Sequence, residues 1–151
     1  MFEAITKLFG SKNGHEDDDP MLDPKVCAAA LLVHLSAVDG EVSVEERKTI
    51  KRTLTEHYKL SAAEVADLVA LATEKDHEAV DFYGFTQTLN KLEQHEKLEI
   101  IKMMWQVVFA DSENHELEDN MVWRVAELIG VSSRDRTVLR AQVRGETDDA
   151  S

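Results

Sequence analysis

The chain has 151 residues, 30 of them acidic and 17 basic, for a formal net charge of −13. A surplus of this size is repelled by phosphate backbones and anionic membranes, which argues against nucleic-acid binding. The single cysteine, Cys27, excludes an intramolecular disulfide framework and a multi-cysteine zinc site, so the chain suits a reducing compartment.

The N-terminus Met1–Gly10 lacks a basic region followed by an apolar run, and no stretch reaches the ~18–20 apolar residues that span a bilayer. A cytoplasmic location without direct membrane insertion is expected. Phe2, Ile5, Leu8 and Phe9 share one face of a short amphipathic helix. Its only basic residue is Lys7, so packing on the domain is favoured over a membrane surface. Ser11–Pro20, with Gly14 and the run Glu16-Asp17-Asp18-Asp19, reads as a solvated linker. Residues 1–22 thus form a helix and acidic linker, 23–144 a helical domain and 145–151 a polar acidic tail.

From Asp23 onward every segment has helical periodicity. Asp23-Pro24 is an N-cap with proline in the first helical position, and Cys27, Leu31, Leu35 and Val38 form the apolar face. Asp39-Gly40 ends that helix. Ser43–Glu46 and Ser61–Glu64 are capping boxes. They open helices carrying Ile50, Leu54 and Tyr58, then Val65, Leu68 and Ala72. The polar stretch Glu74–Val80 reads as a turn, and Phe82, Phe85, Leu89 and Leu92 mark the next helix. Glu96–Ala110 confines its polar residues mainly to the stripe His95, Glu99, Lys102 and Gln106, so it is expected to be central and buried. A helix follows with Met121, Val125 and Leu128 inward, ending at Gly130, and a last helix runs from Ser132 to about Arg144. The expected fold is all-α, with about seven helices besides the N-terminal one.

An internal repeat underlies this pattern. At an offset of 72 residues, Asp39 matches Asp111, Glu41 matches Glu113 and Glu46 matches Glu118. Leu32 pairs with Met104, Leu35 with Val107 and Ile50 with Val122. After a one-residue gap, Leu60-Ser61 matches Val131-Ser132. Two units of helix, acidic turn, helix, short turn, helix predict a pseudo-twofold arrangement.

The acidic turns allow two readings. In one, the acids cap helices, because a helix N-terminus presents free N–H groups and partial positive charge. In the other, Asp39, Glu46, Asp111 and Glu118 supply oxygens to a hard divalent cation such as Ca²⁺ or Mg²⁺. Glu41, Glu113 or His115 lies nearby, and the histidine would admit Zn²⁺ or Mn²⁺. Neither turn is an EF-hand loop, since Leu35 and Ala37 stand at ligand positions.

The paired blocks Ala37–Glu46 and Phe109–Glu118 resemble the two acidic turns of the TerB-like tellurite-resistance family. So do Trp105 and the stretch Trp123–Val131. The resemblance covers about Asp23 to Arg144. It implies an all-helical fold in two pseudo-symmetric halves and a metal site at Asp39, Glu46, Asp111 and Glu118. It also implies a cytoplasmic interaction or metal-sensing role in tellurite or general stress resistance, sometimes beside membrane partners. Ser112 departs from the family pattern, standing where glycine is expected.

Catalytic signatures are absent from the sequence. There is no G-x-S-x-G elbow, no glycine-rich phosphate loop and no H-x-x-x-H pair, and E-x-x-H occurs once, at Glu74–His77. Cys27 lies on an apolar face, as a structural cysteine does. Arg136, Arg140 and Arg144, with Arg134 close by, line the last helix as charge balance or as a docking patch. Trp123 points away from its helix's apolar face, either covered by the N-terminal helix or marking a binding surface. The sequence therefore leads to a non-enzymatic domain that binds a divalent cation and acts through protein partners. The alternative is a purely structural interaction module whose acids are caps.

Overall fold

Asp23 accepts a hydrogen bond from the Lys25 N–H at 2.8 Å, and Pro24 occupies the first position of α1 (Pro24–Ser36). Proline loses nothing there, because that N–H has no intrahelical partner in any case. The computed structural model describes residues 23–38, 43–79, 83–110 and 116–150, with all their side chains except those of 116 and 147–150. The amphipathic segment Phe2–Phe9 and the linker lie outside the described residues. Within them the chain forms α1, α2 (Val44–Tyr58), α3 (Ala62–Glu78), α4 (Tyr83–Asn90), α5 (Gln94–Val108), α6 (Glu116–Ile129) and α7 (Ser133–Ala150). The fold is all-α, and no described residue is in a strand.

Three local expectations change. The apolar face expected for α1 becomes burial on all sides, with Val26 through Leu32 having no exposure. Ala28, Ala29 and Ala30 make this possible, since small side chains let neighbouring helices approach from every direction. α1 packs on α2, α3, α4, α5 and α6. The expected turn at Glu74–Val80 is instead mostly helix, because α3 runs to Glu78. Asp76 Oδ1 lies 2.8 Å from His34 Nδ1, so this polar stretch is tied to α1 by a side-chain hydrogen bond rather than by apolar periodicity. The last helix passes the expected stop near Arg144 and ends at Ala150. Beyond Val143, residues Arg144–Glu146 are exposed, so packing neither requires nor prevents the extension.

The repeat is visible in three dimensions. Leu32 and Met104, Leu35 and Val107, and Ile50 and Val122 are all buried. The short turn of each half uses the same backbone device at a 71-residue offset. Lys59 and Gly130 adopt left-handed φ of 55° and 88°. Leu60 N–H then bonds to Thr55 O at 3.1 Å, and Val131 N–H to Ala126 O at 2.8 Å. Ser61 and Ser132 next cap α3 and α7, each accepting from the N–H three residues on. Packing repeats as well: α1 lies along α3 as α5 lies along α7, α2 crosses onto α5, and α6 onto α1.

α1 and α5 pack together at the centre and begin at the same end. Asp23, before α1, and Glu96, in the first turn of α5, both bear on Tyr58. Both central helices therefore deliver the chain at the opposite end, at Ala37–Val38 and at Phe109–Ala110, where the two acidic turns begin.

Replacing Ala29 by leucine should destabilise the fold by about 1–3 kcal/mol through overpacking. The same change at exposed Ala141 should stay within about 0.5 kcal/mol. Urea unfolding midpoints read both. The Tyr58 phenol is held above the usual tyrosine range, first by burial and then by the Asp23 and Glu96 carboxylates. Its contribution to stability is complete below the ordinary value of about 10 and is lost as pH rises above it, because only the unfolded chain releases the proton. Alkaline unfolding curves of wild type and Tyr58→Phe should therefore diverge above pH ~10, with wild type falling faster.

Candidate functional site

Ser43 opens α2 with the capping box that its sequence predicts. The Ser43 hydroxyl oxygen accepts from Glu46 N–H at 3.0 Å, and Glu46 Oε1 accepts from Ser43 N–H at 3.0 Å. Glu46 is nevertheless only 3% exposed, which is unusual for a capping glutamate. Ser61–Glu64 makes the same box on the exposed surface. The two boxes thus share their hydrogen bonds and differ in burial.

Glu118, the repeat equivalent of Glu46, is also 3% exposed. Two carboxylates in matched positions are thus buried, each in the first turn of the helix that follows an acidic turn. Removing a carboxylate from water carries a large cost unless hydrogen bonds or opposite charge compensate it. Asp39 and Asp111 lie outside the described residues, as do Glu41, Ser112, Glu113 and His115. Of the four sequence candidates, the structure therefore positions Glu46 and Glu118. Their helices, α2 and α6, both lean on the central pair α1 and α5.

The second half carries a polar residue that the sequence did not single out, Asp119. Asp119 Oδ2 accepts from Arg140 Nη2 at 2.8 Å, while Asp119 Oδ1 is buried without a hydrogen-bond partner. The Arg140 guanidinium also faces two rings, 5.3 Å from the Trp105 centroid and 5.2 Å from that of Phe109. No local spacing signals this, because Asp119 and Arg140 are 21 residues apart and meet only when α6 folds back along α7.

Two arginines of the α7 face, Arg136 and Arg140, are thus engaged within the fold, while Arg134 and Arg144 are exposed. Arg136 is buried, donates to the Trp123 carbonyl at 2.7 Å and lies 4.0 Å over the Trp123 ring. That contact also accounts for Trp123, which is 38% exposed with one face occupied by Arg136. Cys27 has no exposure, in keeping with a structural role.

Two further features stand apart from the acidic turns. Glu93, His95 and Glu96, around the start of α5, have ligand atoms within 4.8 Å of one another, the one such group of three among the described residues. It is largely exposed and lies at the end of α5 opposite Phe109. A groove of about 400 Å³ between α4 and α6 is lined by Tyr83, Thr86, Gln87, Asn90, Lys91 and Leu128. Asn90 Nδ2 bridges its walls, donating to the Leu128 carbonyl at 2.7 Å. No helix among the described residues is long and apolar enough to cross a membrane.

Ser43→Ala removes one of the two capping-box bonds and should cost about 0.5–2 kcal/mol. Glu46→Gln keeps an acceptor for Ser43 N–H, so its unfolding midpoint in chelator should stay closer to wild type than that of Ser43→Ala.

A family profile described as "Tellurite resistance protein TerB" matches residues 25–141. No curated protein and no solved structure matches the chain. The matched span starts within the first turn of α1, ends inside α7 and takes in both acidic turns, Trp105 and the Trp123–Val131 stretch. By this match over most of its length, the chain belongs to the TerB tellurite-resistance family.

Proposed function

We propose that this chain is a non-enzymatic, cytoplasmic, cation-responsive module. In this reading it acts through protein partners, some of them membrane-associated, in tellurite or general stress resistance. The observation that carries it is the matched burial of Glu46 and Glu118 at the exits of the two acidic turns. A divalent cation is a natural counter-charge for buried carboxylates, and oxygen donors suit Ca²⁺ or Mg²⁺. The buried Asp119 Oδ1, without a hydrogen-bond partner, adds a spare oxygen acceptor in the second half, although the Asp119 charge itself is paired with Arg140. Asp39, Glu46, Asp111 and Glu118 would hold the ion, which would supply fixed positive charge joining the two halves. Hydrogen bonding by the first turn of α2 would orient Glu46, and the surrounding core would exclude water.

The purely structural alternative rests on an equally specific observation. Glu46 Oε1 already accepts from Ser43 N–H, so this carboxylate serves as a cap whether or not an ion binds. Glutamine can fill that capping role but carries no charge, so Glu46→Gln separates the two readings.

Metal-stripped protein should be titrated by calorimetry with Ca²⁺, Mg²⁺, Mn²⁺ and Zn²⁺. The expected result is saturable binding that is lost in Asp39→Asn, Asp111→Asn, Glu46→Gln and Glu118→Gln, while His95→Ala binds as wild type. Loss on His95→Ala alone would move the site to Glu93, His95 and Glu96. No saturable binding would leave the acids as caps and the chain as a structural interaction module.

A further inference from the structure

Both walls of the α4–α6 groove finish at the end of the bundle where α1 begins. Only Lys91, Leu92 and Glu93 separate α4 from the start of α5. On the other wall, a Cβ on Gly130 would lie 3.5 Å from Lys97 Nζ, so α6 ends beside the first turn of α5. α1 and α5 begin together at this end, with Asp23 and Glu96 both bearing on Tyr58, and α1 packs on α4 and α6. The 22 residues that precede Asp23 therefore join the fold at the same end as the groove.

The groove holds about 400 Å³ and combines the Tyr83 ring, 52% exposed, and Leu128 with the polar groups of Thr86, Gln87 and Asn90. Asn90 ties its walls together at 2.7 Å, so the groove is formed before anything enters it. Such a lining suits an amphipathic helix that turns apolar side chains inward. Among residues 1–22, Phe2, Ile5, Leu8 and Phe9 share one face at helical spacing. A helix of eight residues is about 12 Å long, the length of the eight-residue α4 that forms one wall. The intervening stretch Gly10–Leu22 reaches about 43 Å when extended, more than the length of either wall.

We propose that the α4–α6 groove is the docking site of this chain's own segment Phe2–Phe9, whose apolar face lies on Tyr83 and Leu128. The inference is independent of the cation reading. A tethered segment meets the groove at an effective concentration on the order of millimolar, which a free partner has to exceed. A second copy of the chain is opposed by the net charge of −13 that each copy carries. The acidic run Glu16–Asp19 ends four residues before Asp23 and so stays near Lys91, which lines the groove, and Lys97, which adjoins it. Docking closes the groove to outside partners until the segment is released.

The test uses the full chain. Ile5→Cys is combined either with Gln87→Cys in the groove or with Gln142→Cys, an exposed position on α7, and native Cys27 stays in place because it is buried. Disulfide formation under mild oxidation is followed by mass spectrometry. The Gln87 pair should close within one chain about tenfold faster than the Gln142 pair. In parallel, amide exchange over residues 83–91 and 124–129 is compared between the wild-type sequence and the double variant Ile5→Asp, Leu8→Asp. Both segments should exchange faster in the variant, while residues 62–72 of α3 stay unchanged. Ile5→Leu should keep the wild-type protection. Equal closure rates for the two cysteine pairs, or identical exchange in wild type and the double variant, would overturn the proposal and leave the groove to an outside partner. Disulfides that join two chains in place of closing within one would overturn it in favour of a second copy.

Discussion

Val26 through Leu32 of α1 have no solvent exposure, and the middle three are alanines. A helix buried on every side can exist only if all its neighbours cover it, so its surface dictates where they lie. α3, α4 and α5 pack on it most extensively, and α2 and α6 also reach it. Alanine contributes little apolar area of its own. Its value here is geometric: short side chains permit close helix–helix approach, and dense packing leaves little tolerance for added volume. The positions of both acid-bearing helices, α2 and α6, follow from this central constraint.

Around that core the two halves share a backbone plan and differ in how they hold their acids. Both close their short turn with a left-handed residue, Lys59 or Gly130, followed by a serine cap. Both bury the glutamate in the first turn of the helix after the acidic turn. Glu46 is fixed locally by its own N-cap serine. In the second half His115 stands at the matching position, and the neighbouring Asp119 is instead tied across to α7 by Arg140. One half is thus stabilised by short-range hydrogen bonds and the other by a long-range ion pair on an aromatic stack. Short-range caps depend only on their own helix, whereas a tertiary ion pair depends on two helices staying packed.

The large negative charge is unevenly compensated. Arg136 and Arg140 each combine an aromatic face with a hydrogen bond to α6, so much of their charge is committed inside the α5–α6–α7 layer. The guanidinium suits this because it is planar, weakly hydrated and able to stack and donate at once. The net charge of −13 is thus carried by a chain that commits these two cations internally.

Much of the architecture was legible in the sequence because it depends on local rules. Asp23-Pro24, Ser43–Glu46 and Ser61–Glu64 act through atoms within a few residues of each other, so their spacing determined where those helices begin. The 72-residue repeat likewise determined the two-half plan and paired Glu46 with Glu118, and the paired acidic blocks pointed to the family. Tertiary structure alone decided the rest. It carried α3 through Glu78 by way of His34 and Asp76, 42 residues apart, and it buried α1 all round where periodicity indicated one face. It also made Arg136 and Arg140, which the sequence left as charge balance or a docking patch, a brace on Trp123, Phe109, Trp105 and Asp119. Burial and charge pairing depend on what the fold brings alongside a residue, and no local spacing encodes a neighbour that arrives from 20 or 40 residues away.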